Sequence, residues 1–177
     1  NDSFIGINAG KTIDKKFLSS IQSGIDIVCQ NLAKNIARDG EGANCLLEVL
    51  VDGAKNNADA INLAKSICNS SLVKTAVHGC DPNWGRIISA AGNAGIYFDL
   101  NLVDLYIGDF QILKQGKLNR YDSQKVTTYI RTRMNGKYLV EDIVLISLNL
   151  NSGNGKGIAW GCDLSEKYVQ INSEYTT

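Results

Sequence analysis

Apolar residues recur at intervals of three and four early in the chain. Leu18, Ile21, Ile25, Val28, Leu32 and Ile36 share one face of a helix running from Ile13 to Ala37, as a period of 3.6 residues requires. Gly24 interrupts the pattern and marks a break or a close helix crossing, and Gly40 stops it. Ahead of the helix, Ser3 to Asn8 reads as a short apolar strand. Cys45 to Val51 (CLLEVLV) is a nearly unbroken apolar run of the kind a buried strand shows. Ala58 to Cys68 is a second amphipathic helix with Ile61, Ala64, Ile67 and Cys68 inward. Asp81 as N-cap and Pro82 at the first helical position open a third helix through Ala91. Ile96 to Leu113 holds two or three strands, and Ser123 to Met134 is a helix capped by Asp122 or Ser123. Asp142 to Leu150 alternates as a strand, joined through the turn NSGNGKG to a further strand at Gly157 to Cys162. Asp163 caps a helical turn through Lys167, and Tyr168 to Asn172 closes the pattern. Strand and helix patterns alternate throughout. They predict an α/β (α+β) layered fold, with helices packed on a mixed β-sheet.

Composition narrows the functional classes. The 177 residues carry 18 basic and 18 acidic side chains. A neutral chain has no global field to draw it to nucleic acid or to an anionic membrane. No apolar run approaches the roughly 18 residues that span a bilayer, and the first residues do not read as a signal peptide. These features point to the cytoplasm. The five cysteines, Cys29, Cys45, Cys68, Cys80 and Cys162, are odd in number and form no C-x-x-C pair. A disulfide framework or a zinc site is therefore not expected, and a reducing compartment fits. One histidine, His78, excludes a histidine-rich metal centre. No metal or cofactor is expected.

The densest local signal is Asp81-Pro-Asn-Trp-Gly-Arg86. Read functionally, a helix start here offers free N–H groups to a carboxylate or an oxyanion, with Trp84 as a wall and Arg86 as a fork. Read structurally, it is a helix start with Arg86 in a buried ion pair. Glu41, between Gly40 and Gly42, lies on backbone that a ligand can approach closely. It either holds a substrate ammonium or is a solvated loop carboxylate. His78 reads as a structural histidine. Cys80 beside Asp81 is poorly placed to become a thiolate. The SGNGKG turn lacks phosphate-loop spacing and reads as a hairpin.

Taken together, the segments resemble the ornithine acetyltransferase (bifunctional glutamate N-acetyltransferase) family of arginine biosynthesis. NDSFIGINAG resembles the family's T-N-D-[ST] strand. DGEGA at 39–43, SLVKTA at 71–76, DPNWGR at 81–86, AWGCDLS at 159–165 and Y-V-x-I-N-x-x-Y-x-T at 168–177 follow in family order. The resemblance implies that residues 1–177 form the C-terminal part of the β chain of an N-terminal-nucleophile acetyltransferase. In that family a precursor cuts itself before a threonine, which then carries the acetyl group from N-acetylornithine to glutamate. The resemblance places substrate binding on Glu41, Asn172 and Thr177. It places the nucleophilic threonine, a binding lysine and an oxyanion pair outside this chain, which itself carries no catalytic residue. It also implies a partner α chain of the same precursor, an α2β2 assembly, and acetyl-CoA as an additional substrate in some members.

Asn44 and Cys45 depart from the family's commoner Thr and Lys, which alters the pocket wall. The first residue, Asn1, is no nucleophile. That fits a truncated or further cleaved β subunit, an expressed fragment, or a non-catalytic paralogue. Alternatives to an acetyltransferase component are a structural or interaction module and an N-terminal-nucleophile amidase.

Overall fold

The computed structural model describes residue 10 and residues 14–174. The expected strand Ser3–Asn8 and the expected site residue Thr177 lie outside these. The helices are α1 (Leu18–Arg38), α2 (Asn57–Asn69), α3 (Ser71–His78), α4 (Trp84–Gly92), α5 (Ser123–Met134) and α6 (Glu166–Glu174). The strands are β1 (Leu46–Ala54), β2 (Asp104–Ile107), β3 (Phe110–Lys114), β4 (Lys117–Leu118), β5 (Ile143–Asn149) and β6 (Gly155–Cys162). They form one six-stranded sheet in the order β4-β3-β2-β5-β1-β6. β1 and β5 run parallel, with Leu46 opposite Ile143 and Asp52 opposite Asn149. The other pairs are antiparallel. The mixed sheet with helices matches the architecture expected from the sequence pattern.

The chain divides into two compact units, residues 1–32 and residues 33–177. In the second unit the sheet has unequal faces. Val49 and Val51 of β1, Ile146 and Leu148 of β5, and Leu105 and Ile107 of β2 are buried with the helices. Each such aliphatic side chain contributes about 1.5–3 kcal/mol on burial. The alternate positions, including Glu48, Leu50, Leu145, Tyr106, Ile158 and Trp160, are only half-buried, as the period of two dictates.

In the first unit, a 3-10 turn at Lys15–Phe17 capped by Asp14 leads into α1. The helix therefore begins at Leu18 rather than Ile13. It runs through Gly24 without a break, and nothing lies within 4 Å of where a Cβ would stand there. Among the described residues, neither reading of Gly24 holds. The amphipathic stripe is present, but Leu18, Ile21, Ile25, Val28 and Leu32 are all exposed.

Other departures have local or tertiary causes. β5 and β6 are not a hairpin, because β1 lies between them. The segment Leu150–Asn154 crosses the end of β1, where Leu150 and Ser152 donate backbone hydrogen bonds to Asp52 and Gly53 at 2.9 Å each. Turn composition is a local signal, whereas pairing is set by long-range register. α3 falls on SLVKTAVH, where no helix was expected. It ends in a Schellman motif with Asp81 N–H to the Ala76 carbonyl at 2.8 Å and Cys80 N–H to Val77 at 3.0 Å. The left-handed residue is Cys80 (φ 54°), not the neighbouring Gly79. That motif occupies Asp81, so α4 begins three residues later, capped by Asn83 instead of Asp81. Residues 96–103 contain a 3-10 turn, not a strand. Ile61 is exposed, while Ala60, Leu63, Ala64, Ile67 and Cys68 face the core. Asp163 caps no helix, and Tyr168–Asn172 belongs to α6.

Small residues let α2 lie flat on β6. Gly155, Gly157, Ala159 and Gly161 occupy alternate positions on one face of the strand. A Cβ at Gly157 would overlap the backbone of Ala60 and Ile61, and one at Gly155 that of Asn56. Gly157→Val should therefore destabilise the domain by about 3 kcal/mol, because a helix backbone cannot yield as a side chain can. A urea titration reads this as a lower midpoint, and an unchanged midpoint would show that α2 is free to shift.

Candidate functional site

Loop 39–44 links α1 to β1 and carries Glu41. Arg38 holds this loop from below. Its guanidinium pairs with the fully buried Asp142 and donates to the carbonyls of Ala43 at 3.1 Å and Asn44 at 3.0 Å. Asp142 also accepts from Leu139 N–H at 2.7 Å, so it serves as a buried anchor as well as the lead-in to β5. Ala43 N–H to the Gly40 carbonyl, at 2.9 Å, closes the turn. Gly42 has φ +70°, a conformation that glycine adopts without cost.

The second side of the site is α6, which begins beside this loop. Ser165, buried, donates its hydroxyl to the Gly42 carbonyl at 2.8 Å. About two turns later, the Asn172 amide donates to Glu41 Oε2 at 2.6 Å and to the Tyr168 carbonyl at 2.9 Å. Two of the three expected binding residues, 131 positions apart in sequence, thus meet at one exposed place. Thr177 lies outside the described residues.

Beneath the pair sits Asp163, whose side chain is fully buried. It accepts from Asn44 N–H at 2.7 Å, Asn44 Nδ2 at 2.8 Å and Cys45 N–H at 3.1 Å, and faces His78 Nδ1 at 2.9 Å. Desolvation pushes its carboxyl upward, but the Asn44, His78 and Cys45 hydrogen bonds together hold it below its ordinary value. His78 reaches Glu166 with its other nitrogen, Nε2, at 3.0 Å. Desolvation lowers the His78 pKa, but the hydrogen bonds and charges of Asp163 and Glu166 outweigh it, so the net direction is up. In the sequence alone, His78 reads as a lone structural histidine. Its partners lie 85 and 88 residues away, and no motif spacing connects them. The nearest available signal is a polar Asn44 and a polar Asp163 bordering apolar strands.

Other candidates lose their chemical reading. Arg86 donates to the Leu72 carbonyl at 3.0 Å and to Thr75 Oγ1 at 3.4 Å, tying α4 to α3. No carboxylate meets it among the described residues, so the buried ion pair is absent, and its guanidinium is directed to α3. Cys80 packs against Met134, Sγ to Sδ 3.5 Å. Burial raises the thiols of Cys45 and Cys68, the latter to about 12. Among the described residues, no group of acidic, histidine and cysteine side chains could hold a metal. No helix among them is long and apolar enough to cross a membrane. A cleft of about 810 Å³ lies between α5 and the β2–β3 turn, where Tyr129, Arg133 and Asp109 line it. It includes neither Glu41 nor Asn172.

A six-stranded mixed sheet packed with helices, bringing an early loop and a late helix together around a carboxylate–amide pair, defines an α/β domain with a polar site at their junction. The same architecture occurs in the crystal structure of the arginine biosynthesis bifunctional protein ArgJ from Bacillus halodurans. That match has a TM-score of 0.85 and 42% sequence identity, covering 94% of this chain and 75% of that one. The arginine biosynthesis bifunctional protein ArgJ of Prochlorococcus marinus subsp. pastoris is 82% identical over all 177 residues. Its counterpart in Dehalococcoides mccartyi is 49% identical over the whole chain. The profile of the ArgJ family matches residues 1–177. The chain belongs to the ArgJ family, and it spans 44% and 43% of the length of those two relatives.

Gly42 is where the loop and α6 come closest. A Cβ there would stand 2.9 Å from Ser165 Oγ and 3.0 Å from both Lys167 Cβ and Tyr168 N. Gly42→Ala should cost about 1–2 kcal/mol in backbone strain alone and push α6 off the loop. Hydrogen exchange should show faster exchange in residues 166–174 with β1 unaffected. Equal exchange in α6 would mean that the contact carries no weight.

Proposed function

We propose that this chain supplies part of the amino-acid pocket of an acetyltransferase that moves an acetyl group from N-acetylornithine to glutamate. The observation that carries the reading is the Asn172–Glu41 hydrogen bond. Two residues on which the family resemblance places substrate binding share one exposed spot. A carboxylate can hold a substrate ammonium, and an amide can read a neighbouring polar group. The two satisfy each other; a bound zwitterion would exchange that contact for its own. Thr177 completes the pocket in this proposal.

The chemistry is assigned to residues outside this chain. A threonine hydroxyl attacks the acetyl carbonyl of N-acetylornithine, the amide C–N bond breaks, and ornithine leaves with the proton. The amine of glutamate then attacks the acetyl ester and releases the hydroxyl. Residues 1–177 act as the C-terminal part of a β chain of N-terminal-nucleophile type. Their partner is an α chain of the same precursor in an α2β2 assembly, in the cytoplasm. The exposed apolar stripe of α1 supports a need for partner surface.

The test uses a full-length enzyme in which this chain replaces the matching residues of the Prochlorococcus protein. Glu41→Gln should lower kcat/KM for N-acetylornithine by roughly 10- to 100-fold, since a hydrogen bond to a charged group contributes about 1.5–3 kcal/mol. Glu41 is exposed, so the melting temperature should stay in place. An unchanged kcat/KM would remove Glu41 from the pocket. The 177-residue chain assayed alone should show no transfer, and turnover by it would overturn the assignment of the nucleophile elsewhere.

A further inference from the structure

We infer that His78 is a positioning residue, a clamp between buried Asp163 and the head of α6 that holds Asn172 against the loop carrying Glu41. The pocket geometry would then depend on a side chain that never touches substrate. This inference rests on the reading of Glu41 and Asn172 as substrate contacts.

The geometry carries it. Both ring nitrogens of His78 face carboxylates, Nδ1 to Asp163 at 2.9 Å and Nε2 to Glu166 at 3.0 Å. Ionised carboxylates only accept, so both contacts are made together only by the doubly protonated ring. Asp163 is fixed from below by Asn44 and Cys45. Glu166 lies in the first turn of α6, where a negative charge also suits the helix dipole. The ring therefore joins the end of α3 and the β1 lead-in to α6, two turns before Asn172. Among the described residues, the Ser165–Gly42 hydrogen bond and the Asn172–Glu41 contact itself also tie this end of the chain to the loop by side chains. Substrate that takes over Glu41 and Asn172 removes the second of these, which leaves the clamp and the Ser165–Gly42 hydrogen bond to hold the helix in place.

The groups facing His78 set the direction of its pH dependence. These are Asp163 after β6, Glu166 on α6 and the Asn44 amide before β1, whose Nδ2 lies 3.4 Å from Nδ1. His78 is held above its ordinary 6.5, so the clamp is complete below pH 6.5 and is lost as pH rises through the raised value. Asp163 and Glu166 are held below their ordinary 3.8 and 4.5, so on the acid side it is lost only as pH falls through those lowered values. The clamp is thus fully closed from pH 4.5 to 6.5.

The test uses the same full-length enzyme, with hydrogen exchange read peptide by peptide between about pH 5.5 and 8.5, where histidine titrates. After correction for base-catalysed exchange, peptides covering 166–174 and 40–44 should lose protection as pH rises, while β1 and β5 hold theirs. His78→Gln should show the low protection at every pH, and Glu166→Gln, a change at an exposed position, should reproduce it if His78→Gln folds poorly. KM for N-acetylornithine should rise about tenfold with the loss of the charged contact, become independent of pH in His78→Gln, and move more than kcat. Protection of α6 that ignores pH in the unmodified enzyme and is unchanged in both variants overturns the clamp. Altered exchange with a fixed KM overturns its link to the pocket. An unmodified enzyme that transfers no acetyl group overturns the proposed function instead, and the exchange data then decide the clamp by themselves.

Discussion

Asp163 accepts four hydrogen bonds from two separate parts of the chain while its side chain is closed to solvent. A buried carboxylate must be paired or hydrogen-bonded, or it would take up a proton. Here the obligation is met by the lead-in to β1 and by the end of α3, so satisfying one charge fixes where three segments meet. The same constraint repeats at Asp142, which receives Arg38 and the Leu139 amide. Between them, these two carboxylates set the height and direction of loop 39–44, and with it the position of Glu41. No buried side-chain nitrogen or oxygen among the described residues is left without a partner.

The sheet imposes the second constraint. β6 carries glycine or alanine wherever it faces α2. The helix can therefore approach at backbone distance and brings β6 alongside β1. Cys162, at the end of β6, then delivers Asp163 directly under the Asn44–Cys45 backbone. The candidate site thus depends on how β6 is packed, and a larger residue in β6 would act on the Glu41–Asn172 junction without touching it. The opposite sheet face keeps Leu50, Leu145, Ile158 and Trp160 half-buried. Trp160 donates to Glu48 at 2.6 Å, and Lys34 reaches the same carboxylate at 2.9 Å, so one corner of that face is polar and ordered.

Much of this was legible in the sequence. Periodicity located α2, α5, β1, β5 and β6 within a few residues, because each pattern reports a buried face that the sheet and helices share, and it located α1 by a stripe that is exposed. The early glycine-flanked glutamate and the late asparagine were identifiable by family resemblance. The places where local reading failed have a common cause. Turn composition at NSGNGKG could not reveal that β1 lies between β5 and β6, and Asp81-Pro82 could not reveal that Asp81 was already used to finish α3. In both, a longer-range hydrogen-bonding pattern overrode a sound local preference.

The sequence by itself determined the class of fold, the family and the two polar residues on which the candidate pocket is built. Those follow from periodicity and from motifs that are contiguous in the chain. Only the tertiary structure decided that Glu41 and Asn172 touch, and that His78 stands between Asp163 and Glu166. Both facts depend on strand order, and strand order is fixed by hydrogen bonds between residues roughly a hundred positions apart, a separation at which composition and spacing carry no information about contact.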